Sequence, residues 1–130
     1  MIVSNAQIAA CGSMCTCGHS VAEKLLMKAL DRQGLKAVPA GLKEKWSDED
    51  GYDYEVRIHP ADPLAPEGSN SKTGPTLRIC RKSRARNESG QGTGPEHVDS
   101  TGNWHRQRDL MKEENSEHAN NAHIPLTVTP

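Results

Sequence analysis

The stretch YEVRIHPADP, residues 54–63, places Glu55, Arg57 and His59 two positions apart. In an extended strand successive side chains point to opposite faces, so Tyr54, Val56 and Ile58 form one row and Glu55, Arg57 and His59 the other. The first row packs. The second combines a carboxylate, a guanidinium whose fork matches phosphate oxygens, and an imidazole that titrates near neutral pH. Such a set can move protons beside a bound anion. A plain solvent-exposed pair between Glu55 and Arg57 is the bland alternative.

The same residue types recur further on, with Arg78 in TLRI, His105 in GNWH and His123 in HIPLTV. Ser69 and Asn70 offer hydroxyl and amide groups to a phosphate or a base edge, and serve a turn equally well. Tyr54 or Trp104 can stack on a base, but with only four aromatic residues in the chain the core claims them first. In CGSMCTCGH, Cys11, Cys15, Cys17 and His19 are chemically enough for tetrahedral zinc. Their spacing departs from the two-residue gaps of zinc knuckles, which favours free thiols in a linker or one adventitious disulfide. Asp62, Glu67, Asp99 and the histidines contain ligands enough for a metal-dependent nuclease, but no two-metal spacing is visible. No metal ligand and no cofactor is assigned.

These side chains need elements to hold them. SVAEKLLMKALDRQG predicts a helix, with Ser20 and Glu23 as a capping box, Ala22, Leu25, Leu26, Ala29 and Leu30 on one face, and Gly34 as the stop. Leu42 and Trp46, four apart, predict a short helical turn. Strands are expected at Asp53 to His59, ended by Pro60, and at Thr76 to Arg81 with Leu77 and Ile79 inward. A long loop with four prolines joins them. EHVDSTGNWHR predicts a hairpin, Arg108 to His118 a charged and weakly helical stretch, and His123 to Val128 a final strand that Pro125 places at an edge. Helix first and short strands after predict an α+β fold, with the helix on one face of a small antiparallel sheet and long polar loops.

Composition sets the limits. The 130 residues are 34% apolar, contain no Phe and carry a net charge of -1, with a mean hydropathy of -0.75, so the core is small and the chain is no basic nucleic-acid coat. Five of the 16 cations nevertheless fall between Arg78 and Arg86, a run that attracts polyanions. No stretch approaches the length of a membrane span, which implies no membrane embedding.

The features GLKEKWSDEDGYDYEVRIHPADPLAPEGSNS, GNWH and the closing HIP, in that order, resemble the C-terminal toxin modules called polymorphic toxin type 30. The similarity runs from about Gly41 to Leu126, with a longer basic insert at 81–94 than the family leads one to expect. Weak periodicity, small residues and clustered Cys over Met1 to Gly18 mark a linker or pre-toxin tail at 1–18, ahead of a toxin domain at 19–130. The resemblance implies a module of an interbacterial effector, secreted or delivered from the cell surface, that acts in the target-cell cytoplasm and is held harmless by a cognate immunity protein. It implies a nuclease acting on RNA, with tRNA among the candidates, and a barnase-like or EndoU-like fold. RNA cleavage without a metal needs a base, an acid and a cation for the phosphorane charge. Arg57, His59 and His123, or His105, fill those roles, with Glu55 as base or positioning group and Arg78, Ser69, Asn70 and Tyr54 binding substrate. A metal-dependent nuclease and a non-catalytic binding module are the alternatives.

Overall fold

The computed structural model of the protein describes residues 2–3, 6–8 and 21–128, with side chains over 21–126. Ser20 of the expected capping box and the Cys11, Cys15, Cys17 and His19 cluster lie outside the described residues. Helix α1 (Val21–Arg32) buries Ala22, Leu26 and Ala29, with Leu25 and Leu30 packed at the margin, so the expected face is the one that packs. Gly34 ends it with φ +67°, and the Leu35 amide donates back to the Leu30 carbonyl at 2.9 Å, a closure that favours a residue without Cβ.

Strand β1 (Ile2–Val3) pairs with β3 (Val38–Pro39). A seven-stranded antiparallel sheet contains β2 (Ala6–Ile8), β4 (Lys43–Ser47), β5 (Tyr52–His59), β6 (Thr76–Ser83), β7 (Pro95–Val98), β8 (Trp104–Arg106) and β9 (Ile124–Val128). The order β2-β9-β6-β5-β4 forms its path, and β7 joins β6 while β8 joins β7. One sheet face meets α1 through Val56, Ile58, Leu77, Ile79, Val98 and Ile124, with Trp46 stacked on Tyr54 at 5.5 Å. This is the expected α+β arrangement.

The central strand, β6, lies along β5 for its whole length, which sets Glu55 opposite Cys80, Arg57 opposite Arg78 and His59 opposite Thr76. Opposed residues of an antiparallel pair share a face, so these six side chains stand together on the face away from α1. The other edge of β6 is divided. Thr76 and Leu77 pair with β9, and Cys80 to Lys82 pair with β7. Arg78 sits at the fork where the two strands part. Into that fork fold the short helices α3 (Gln107–Leu110) and α4 (Ser116–Asn121), joined by a 3-10 turn at Glu113–Asn115, while α2 (Asn70–Thr73) forms one turn within the proline-rich loop.

Two expectations are corrected. Leu42 and Trp46 stand on no helical turn: Trp46 is in β4, and Leu42 accepts from the Ile58 amide at 3.0 Å just ahead of that strand. A spacing of four puts two residues on one face at period 2 as well as at period 3.6, so it could not choose between them. Strand β9 is not at an edge either, because β2 pairs with Leu126 to Val128 on its far side. Pro125 falls just beyond that paired stretch, where no donor is missed.

Candidate active site

A cleft of about 590 Å³ opens on the face away from α1. Its floor is Glu55, Arg57 and His59 of β5 with Arg78 and Cys80 of β6, its sides are His97 of β7 and His123 at the start of β9, and Gln107, Leu110, Met111 and Ala119 form the opposite wall. Strand alternation alone gathers the floor. The fork in the sheet supplies the sides.

The two arginines each face an imidazole. Arg57 Nη2 lies 3.0 Å from His59 Nε2, and Arg78 Nη1 lies 2.6 Å from His123 Nε2. His123 Nδ1 is 3.0 Å from the Ala119 carbonyl oxygen. One tautomer fits both contacts: Nδ1–H donates to Ala119 and the Nε2 lone pair accepts from Arg78. Arg57 also has Glu55 Oε1 at 3.7 Å from its Nε, and Lys45 holds the other Glu55 oxygen at 3.3 Å. Arg78 is half-buried and pairs with no carboxylate among the described residues. Two guanidinium groups in register on adjacent strands repel each other, and a bound anion is what relieves that repulsion.

The same cations and the same burial act on the histidines. Burial first, then Arg57 and Arg78, lower the pKa of His59 below that of free imidazole. His123 is lowered by burial and by Arg78, against the pull of the Ala119 carbonyl. His97 is lowered by burial and then by Arg78; Gln107 meets its Nε2 at 3.2 Å, and its Nδ1 is buried with no hydrogen-bond partner among the described residues. Burial and Glu55 push the Cys80 thiol up, keeping it protonated. The free cleft is therefore a pocket of neutral imidazoles around two positive charges.

Of the residues singled out from the sequence, Glu55, Arg57, His59, Arg78 and His123 meet in this cleft. The other four are elsewhere. Tyr54 is on the α1 face, 7% exposed, and donates its hydroxyl to Asp50. Ser69 donates its hydroxyl to the Pro66 carbonyl at 2.6 Å. Asn70 ties α2 to the rest, its amide donating to the carbonyls of Asn120 and His123, both at 3.1 Å. His105 pairs with Asp99 and lies outside the cleft. The basic run at 78–86 is also divided: Arg78 faces the cleft, Arg81 binds Glu96 at 3.1 Å between the rings of Tyr52 and Trp104, and Arg84 binds Asp53 at 2.9 Å. Cys80 and His97 were missed; the parity of Arg78 marks Cys80, while His97 becomes visible only once β7 is paired to β6.

A family model described as bacterial toxin 30 matches residues 27–127. The chain belongs to the bacterial toxin 30 family. No curated protein and no solved structure matches it. The match spans every residue of the cleft. Among the described residues no helix is long and apolar enough to cross a membrane.

Proposed function

We propose that this toxin domain is a ribonuclease that cuts RNA in the cytoplasm of the target cell by acid/base chemistry in the cleft. The observation that carries the reading is the arginine pair, Arg57 opposite Arg78, with His59 on one member and His123 on the other. A phosphodiester entering the cleft takes both guanidinium groups as ligands, and they stabilise the added negative charge of the phosphorane. Turning toward phosphate, the arginines release the Nε2 lone pairs of His59 and His123. One imidazole then removes the 2'-hydroxyl proton, and the other, protonated, gives a proton to the departing 5'-oxygen. Glu55 holds Arg57 in place, and the Ala119 carbonyl fixes the tautomer of His123.

The donor set favours this over a metal-dependent nuclease, because among the described residues Glu55 is the only carboxylate lining the cleft. Cleavage is expected to need no added divalent cation. An immunity protein is the expected partner, covering the cleft with carboxylates that satisfy Arg57 and Arg78 as a phosphate does. The test is inducible cytosolic expression in bacteria of the wild type beside His59→Ala and His123→Ala, read by total RNA on a gel and by viable counts. Killing with RNA loss in the wild type alone supports the reading. Killing with intact RNA removes the ribonuclease, and survival with folded wild type removes the enzyme.

A further inference from the structure

A second cluster lies outside the cleft, at the turn joining β7 to β8. Asp99 is 4% exposed, and its Oδ1 accepts from the Thr101 amide at 2.9 Å, the Thr101 hydroxyl at 2.7 Å and the Asn103 amide at 3.0 Å. Three donors on one oxygen fix the carboxylate and aim Oδ2 at β8, where His105 Nε2 lies 2.7 Å away. His118, exposed on α4, stacks on His105 with ring centroids 4.8 Å apart and planes at 28°. One carboxylate oxygen and one nitrogen from each ring lie within 4.8 Å of one another.

We propose that Asp99, His105 and His118 bind one divalent first-row transition cation, Zn²⁺ foremost, as a staple between the β7–β8 turn and α4. The donors are the two imidazoles and one carboxylate that Zn²⁺ accepts, and the exposed side of His118 leaves a fourth position for water. At bond lengths near 2.0–2.1 Å, two ligands of a tetrahedral ion stand about 3.3 Å apart, so the Asp99–His105 contact opens slightly and His118 closes in. The Thr101 and Asn103 bonds to Oδ1 act as the outer shell that keeps the carboxylate oriented. The site is built from three elements, and α4 has reason to need it. That helix is six residues long and has no side-chain cap, yet its Ala119 carbonyl orients His123. The ion holds the wall of the cleft and takes no part in its chemistry, so the proposal does not depend on which polymer is cut.

The test must silence the other potential ligands, so it uses the full chain with Cys11→Ser, Cys15→Ser and Cys17→Ser, stripped of metal and titrated with Co²⁺. The expected result is one Co²⁺ per chain, with visible bands of a nitrogen and oxygen site and no thiolate charge-transfer band. His118→Ala, at an exposed position that leaves the fold intact by circular dichroism, weakens binding about 100-fold or more, since an outer-shell change alone costs 10–100-fold. His59→Ala, in the cleft, leaves it unchanged. Zn²⁺ raises the melting temperature of the same chain but not of its His118→Ala form. No saturable binding, or binding that His118→Ala leaves unaltered, overturns the proposal.

Discussion

Arg78 is the residue on which the chemistry turns, because it is the cleft cation with an imidazole rather than a carboxylate for a partner. Arg78→Ala is expected to lower cleavage by about 10²–10³-fold, the loss that follows removal of one preorganised donor to a developing anion. Arg78→Lys restores little, because a point charge lacks the fork. Initial rates on labelled RNA, beside thermal melts that show the fold retained, check both. The pH dependence follows from the depressed histidines. Whichever imidazole serves as the acid must be protonated, and its protonated form is lost above a pKa that lies below 6.5. The kcat/KM of the free enzyme should therefore fall as pH rises through neutrality, and a rate that rises from about pH 6.5 to about pH 8 contradicts the assignment. At this scale the sequence was legible wherever alternation sufficed, as in Glu55, Arg57 and His59. It was misleading for Asn70, whose amide fits a phosphate contact and a structural clip equally well.

Among the elements, the divided edge of β6 makes the cleft. Its two neighbours part at Arg78, which brings His97 of one and His123 beside the other to either side of that guanidinium. Asn70 closes the arrangement by holding α4 and the start of β9 together. Asn70→Ala removes both side-chain hydrogen bonds to the Asn120 and His123 carbonyls, so it is expected to cost about 1–3 kcal/mol of stability. It should also lower kcat more than it raises KM, since His123 loses its position and the arginines keep theirs. Urea melts and steady-state rates separate the two effects. The helix, the two long strands and the hairpin could be read from periodicity and breakers. The fork could not, because it rests on which strands pair at long range and no local pattern encodes that choice. The stretch from Leu42 to Trp46 failed for the same reason: its spacing suits either period, and pairing with β5 decides.

For the whole molecule, three partly or well buried histidines set the response to acid. His59, His97 and His123 all have folded pKa values below the free imidazole value of 6.5, so the unfolded chain takes up protons first. Their stabilising contribution is fully present above 6.5 and is lost as pH falls through the depressed values. Asp99 acts much lower. Burial raises its carboxyl, but His105, Thr101 and Asn103 bring it down to about 2, so its contribution is lost only between 3.8 and about 2. The melting temperature is expected to drop between about pH 7 and about pH 5, and a flat profile there would show the imidazoles to be solvated. The central claim is that the cleft cuts RNA, and the most direct measurement follows a purified wild-type chain and Arg78→Ala on a labelled RNA and its all-deoxy counterpart. Cleavage of the RNA alone, leaving 2',3'-cyclic phosphate ends and slowed at least about 100-fold by the substitution, is the predicted result. Intact RNA with a folded wild type, or equal rates for the two proteins, would contradict it.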